Sequence, residues 1–148
     1  MRITILKRAA AVLCLAGGSA MLMSSTSDYA IKAPGPWVAP KAADTIKNPF
    51  KVKGNAEAIA AGKKIYESYC VPCHGPKGKG NGVAAAGLNP RPADHTSAKF
   101  QSQSDGAIYW KLTTGRPPMA SYATTLTVTQ RWQVVNFMRT LAVDYHKK

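Results

Sequence analysis

The sequence predicts a small all-α domain of three main helices joined by long irregular loops. Three observations lead there. Apolar residues recur at helical spacing in three segments, each opened by a residue that can cap a helix. No convincing strand pattern and no internal repeat is found. Glycine and proline crowd the stretches between the three segments, where they break regular structure. The 148 residues suffice for one domain and an extension.

The first helix is predicted from Asn55, whose side chain can cap, with Glu57 in the first turn where the helix dipole favours an acid. Ile59, Gly62, Ile65, Tyr66 and Tyr69 then recur at helical spacing up to Cys70. GPKGKGNG and LNPRPAD follow as loop by breaker content. A second helix is expected over Asp105 to Thr114, stopped by Gly115. The third has the clearest signals: Thr127 to Gln130 (TVTQ) is a capping box. Val128, Trp132, Val135, Met138 and Leu141 form one stripe behind it, widened by Val134 and Phe137. Three short helices around so much loop bury a modest core, so a large flat apolar cofactor is expected to complete the interior.

Three regions are expected. Residues 1–27 open with MRITILKR, continue apolar from Ala9 to Met23 and turn polar at SSTSDYA, the order of a secretory signal. The apolar stretch is short for a membrane span, so cleavage is expected over a retained anchor. Residues 28–53 carry prolines at 34, 36, 40 and 49 without helical or alternating period and read as an extended arm, with Trp37 and Phe50 as its aromatic anchors. Those two either pack back on the domain or insert into a partner. Residues 54–148 form the domain proper.

Charge narrows the partners. The chain holds 20 Lys and Arg against 7 Asp and Glu, a net +13. Setting aside residues 1–27 removes Arg2, Lys7 and Arg8 and no acid, which leaves 17 against 7 and a net +10. Such a surface favours acidic protein partners or anionic head groups. Nucleic acid is not expected, because the chain reads as exported and its basic residues are scattered without interleaved aromatics. Cys14 leaves with the signal, so the exported protein keeps two cysteines.

Those two stand in Cys70-Val71-Pro72-Cys73-His74, a C-x-x-C-H motif for attachment of c-type haem. The spacing brings both thiols to the two vinyl groups of a porphyrin and directs the next side chain at the iron, so Cys70 and Cys73 are the expected thioether positions and His74 the proximal ligand. A zinc site would need four ligands, and only His95 and His146 remain besides these three. A thioredoxin-like pair would need a βαβ context that is missing. The iron's sixth ligand separates a carrier from a catalyst or gas sensor with an open site. Met119 in GRPPMASY is the preferred candidate, on a proline-stiffened loop. Met138 lies on the apolar stripe of the last helix, where core packing is the ordinary role of methionine. His95 would make a bis-histidine site.

With these residues the chain resembles class I monohaem cytochromes c, over about residues 54 to 143. The likeness rests on the helix ending in CVPCH, the CHGPKGKGNG loop, LNPRPAD, TTGRPPM and the terminal TQRWQVVNFMRTL helix. It implies three main helices wrapped around one covalently attached haem c. It also implies a crossing of first and last helices at Gly62 and Tyr66 against Val134 and Phe137, and a backbone carbonyl, here matched to Pro90, that orients His74. The order Pro117-Pro118-Met119 departs from the Met-Pro common in relatives. Trp110, Tyr109, Arg91 and Arg116 are further candidates for the haem edge or its carboxylates.

The function implied is one-electron transfer in a respiratory or photosynthetic chain, without transformation of a small-molecule substrate. Electrons would pass at an exposed haem edge ringed by Lys77 and Lys79, to redox proteins with acidic docking surfaces. A weaker resemblance, carried by the arm, GRPPM and RWQVVNFMRTL, is to the monohaem subunit of alternative complex III. It implies a carrier held to a membrane respiratory complex rather than a free shuttle, at the periplasmic face. A haem catalyst or ligand sensor is the alternative from another class.

Overall fold

The computed structural model of the protein describes residues 35–50 and 55–142. The expected signal segment lies outside the described residues. Among the described residues five α-helices occur: α1 (Ala56–Tyr69), α2 (Val71–His74), α3 (Ala98–Gln101), α4 (Asp105–Thr114) and α5 (Val128–Thr140). Turns of 3-10 helix add Lys41–Thr45 and Ala85–Gly87. No strand occurs among the described residues, where extended pairing is limited to an isolated bridge between Arg116 and Met119.

The three long helices begin where their caps place them. Asn55 Oδ1 accepts from the Ala58 N–H at 3.0 Å, and Ser104 Oγ accepts from that of Ala107 at 3.0 Å. At α5 the reciprocal box is complete, with Gln130 N–H donating to Thr127 Oγ1 at 3.2 Å and Thr127 N–H to Gln130 Oε1 at 2.8 Å. Helices α2 and α3 were not expected, because four residues are too few for an apolar period to register.

Helix α1 crosses α5 in the most extensive contact between elements. Gly62 lets the α1 backbone approach Gln133 and Phe137 closely, and the Tyr66 and Phe137 rings lie 5.1 Å apart at a tilt. Tyr66, Val134, Val135 and Asn136 are fully buried there. Trp132 stacks on Tyr109 at 4.1 Å and joins α5 to α4.

Among the described residues of the arm, 35–50, the expected extended form is interrupted by a turn. Lys41–Thr45 winds into a turn that packs on the start of α4, and Ala43 is buried. The seat depends on Gly106, since a Cβ there would stand 2.0 Å from the Ala43 carbonyl oxygen. Trp37 packs back as well, with its ring 6.4 Å from that of Trp110.

Asn48 fastens the arm to two helices. Its Nδ2 donates to Asp105 Oδ2 at 2.8 Å and to Asn136 Oδ1 at 2.7 Å, while its Oδ1 accepts from the Phe50 N–H at 3.0 Å. Asn136 is fully buried, so losing that donor strands its amide oxygen. Asn48→Ala is expected to cost about 1–3 kcal/mol in denaturant unfolding of the haem-loaded protein, the usual range for a buried group left unpaired.

One buried cation was not foreseen from the sequence. The Arg131 guanidinium donates through Nη1 to the carbonyls of Tyr122, Ala123 and Leu126, and through Nη2 to the Tyr109 hydroxyl at 3.0 Å. It thereby clips the segment between α4 and α5 to the core, and nothing in TQRWQ distinguishes it from a surface arginine. Arg131→Met is expected to destabilise by about 2–3 kcal/mol. A lysine should rescue little, because a single ammonium cannot reproduce a planar fork spanning four oxygens. Thermal unfolding of both variants checks this.

Candidate functional site

Helix α1 ends at Tyr69 and is capped by Cys70, whose N–H still bonds to the Tyr66 carbonyl at 2.8 Å, and the chain turns once more through α2. The four residues after Cys70 therefore close a single helical turn. His74 N–H returns to the Cys70 carbonyl at 2.8 Å. The glycine-rich loop then folds over this turn and satisfies its free carbonyls. Gly80 N–H donates to His74 O at 2.9 Å, Gly82 N–H to Cys73 O at 3.0 Å, and Ala84 N–H to Pro72 O at 2.9 Å.

Cys70 and Cys73 are both free thiols, Cys70 buried and Cys73 partly so. Burial first, and then Cys73, pushes the Cys70 thiol up to about 12. Such a setting disfavours a thiolate and suits a neutral thioether, which has no charge to desolvate. Among the described residues no group of three or more His, Cys, Asp and Glu is placed to hold a metal ion, so the described residues supply no zinc ligand set.

These groups open on a cleft of ≈ 520 Å³, a size ordinary for a cofactor pocket. Cys70, Cys73 and His74 line it from the motif turn, Pro90 to His95 from the following loop, and Ile108 and Leu112 from α4. Pro118, Met119, Ala120 and Tyr122 line it from the segment after α4. That segment is held tightly: Met119 N–H donates to Arg116 O at 2.8 Å, Arg116 N–H to Met119 O at 3.0 Å, and Tyr122 N–H to Leu112 O at 3.1 Å. Met119 is partly buried against the core. Met138 is buried in that core, as its stripe implied, and also reaches the cleft wall.

The carbonyl expected at Pro90 is instead that of Ala93. His74 Nδ1 donates to it at 3.0 Å. Any residue's backbone oxygen can serve here, and the loop's path decides which one arrives. His95 N–H bonds to the Gly78 carbonyl at 2.7 Å and pins residues 93–95 beside the motif turn, while Pro90 lies farther along the same cleft wall. Because a carbonyl only accepts, the proton sits on Nδ1 and Nε2 keeps its lone pair. Burial pulls His74 below its ordinary value, with the Ala93 bond opposing it in part. A neutral imidazole with a free Nε2 is the form that ligates a metal.

His95 does not face His74 across the cleft. The two rings stack at 4.0 Å between centroids and 22° between planes, which leaves no room for a porphyrin between them. His95 Nδ1 instead meets the Tyr66 hydroxyl at 3.0 Å, and burial, then His74, holds the ring well below its ordinary value. Of the other candidates, Arg91 and Arg116 line the cleft, whereas Tyr109 is taken up by Trp132 and Arg131 and Trp110 by Trp37. Two free thiols, an imidazole of the right tautomer and a thioether around one apolar cleft fit a covalently held haem.

The family described as cytochrome c oxidase, cbb3-type, subunit III matches residues 57–138. No curated protein matches the chain. Among solved structures, the chain is similar to one in the Kuenenia stuttgartiensis reducing HAO-like protein complex Kustc0457/Kustc0458. Identity is 31%, over 66% of this chain and 49% of that one, with a TM-score of 0.57. The chain thus spans about half the length of that relative. The KustC0563 c-type cytochrome is 28% identical over 55% of this chain and 96% of its own, with a TM-score of 0.48.

Proposed function

Because this chain belongs to the c-type cytochrome family of cbb3-type oxidase subunit III, whose fold is all-α and whose cofactor is one covalently bound haem c, we propose that it carries single electrons at an iron ligated by His74 and Met119. The observation that carries the reading is the cleft that gathers Cys70, Cys73, His74 and Met119 from two separate segments of chain. When bound, the haem supplies an iron that cycles between ferric and ferrous states.

The chain's own groups do the rest. The Ala93 carbonyl orients the His74 ring and raises its donor strength. The Arg116–Met119 bridge and the Tyr122–Leu112 bond fix the segment that presents the thioether. Holding the iron together with the His74 imidazole, the Met119 thioether would favour its reduced state and raise the potential. Ile108, Leu112 and Phe100 supply apolar wall to the cleft. Lys77 and Lys79 stand on the loop over the motif turn, where they steer an acidic partner toward the Cys73 side.

Pathway and place are part of the proposal. We infer an exported protein at the periplasmic face, associated with a larger redox assembly through its arm rather than acting as a free shuttle. The reading is supported by the solved relative, which belongs to a protein complex. Among the described residues no helix is long and apolar enough to cross a membrane.

The test is a redox titration of the natively matured protein with optical detection. One single-electron wave and no carbon monoxide adduct of the untreated ferrous form are expected. Avid carbon monoxide binding would overturn the carrier reading in favour of an open-site catalyst or sensor.

A further inference from the structure

Besides Arg91, three cations line the cleft and lie near one another without an ion-pair partner. Lys111 on α4 and Arg116 after it are partly buried, and Lys99 on α3 is exposed at the rim. Neither of the two ion pairs formed among the described residues, Lys63–Glu67 and Arg139–Asp105, involves them. Lys111 Nζ donates to Gln103 Oε1, a neutral partner. Burial pulls Lys111 below its ordinary value, and the like charges of Arg116 and Lys99 add to it.

The cluster is organised by the arm. Lys111 Nζ lies 5.7 Å and Arg116 Cζ 5.3 Å from the centre of the Trp37 ring, and Arg116 Nη1 donates to the Gly35 carbonyl at 3.0 Å. Trp37 itself lines the cleft. It precedes the family-matched residues 57–138. Haem carries two carboxylates, and a carboxylate taken out of water requires paired donors.

We propose that Lys111 and Arg116, gathered on Trp37 of the arm with Lys99 at the rim, seat the haem carboxylates, so that the arm completes the cofactor site. An acidic protein partner is the competing use of these charges. It is disfavoured because Lys111 and Arg116 border the cleft and are partly buried, whereas docking lysines need free exposure. The inference rests on haem being the occupant, which the mass of the purified protein checks separately.

The experiment uses natively matured, haem-loaded protein. Lys111→Met, Trp37→Ala and, as a control of equal charge loss at an exposed arm position, Lys47→Met are compared by resonance Raman and spectroelectrochemistry. Lys111→Met and Trp37→Ala are expected to shift the haem propionate bending band. Lys111→Met should also move the midpoint potential negative, since a cation beside the carboxylates favours the ferrous state. Lys47→Met should leave both unchanged. A propionate band at the wild-type position in both variants overturns the proposal, as does a potential shift in Lys47→Met equal to that in Lys111→Met. If Lys111→Met yields no loaded protein, Trp37→Ala decides alone by the same band. Loss of association with an acidic redox protein while the band stays put would assign the cluster to docking and sink the seat.

Discussion

Met119→Ala is expected to abolish the weak red band of the ferric protein, open the iron to carbon monoxide in the ferrous form, and lower the midpoint potential by ~0.1 V or more. The magnitude follows from axial ligand identity, which sets haem potentials over a range of roughly 0.8 V. The thioether is the soft ligand that favours ferrous iron, and alanine leaves water or a vacancy in its place. Met138 is the necessary comparison, because it also reaches the cleft wall. Buried in the core at 4% exposure, it should tolerate Met138→Leu for less than about 1.5 kcal/mol and keep the red band. The opposite pair of outcomes, a band kept in Met119→Ala and lost in Met138→Leu, would move the ligand to α5. Covalent attachment should survive both changes, since neither touches Cys70 or Cys73.

Gly62→Ala is expected to destabilise the loaded protein by about 3 kcal/mol or more, lowering the midpoint of thermal unfolding by roughly 12 °C or beyond. Helix propensity alone predicts the reverse sign, a gain near 1 kcal/mol for alanine over glycine. The crossing decides otherwise. A Cβ at residue 62 would stand 1.9 Å from the Gln133 carbonyl oxygen and 3.1 Å from the Phe137 Cβ. Backbone cannot rotate away as a side chain can, so α1 and α5 must separate and expose Tyr66, Val134 and Phe137. Gly87→Ala is the control, because a Cβ there meets nothing within 4 Å and should change stability little. A stabilised Gly62→Ala would show that the two helices do not pack this closely in solution.

What was legible in the sequence shares one property: it is written within a few residues of chain. The caps at Asn55 and Thr127, the stop at Gly115 and the turn that spaces Cys70, Cys73 and His74 are short-range geometry, and each element forms where its residues place it. The Gly62 approach was legible only through resemblance, and the structure refines its partners to the Gln133 backbone and Phe137. The turn within the arm was not legible, since proline content announces stiffness while Lys41–Thr45 depends on a seat beside Gly106 on α4.

The residue pattern by itself determined the chemistry available to this protein: two thiols and an imidazole on one helical turn, and a thioether on a stiff loop. Tertiary structure alone decided which carbonyl orients His74, that His95 stacks on the same side rather than opposite, that Arg131 clips three carbonyls, and that Trp37 gathers cations at the cleft. The physical reason is distance along the chain. Ala93 lies 19 residues from His74 and Gly35 lies 81 from Arg116. Hydrogen bonds over such separations depend on the path of whole loops, which the short-range periods and caps do not encode.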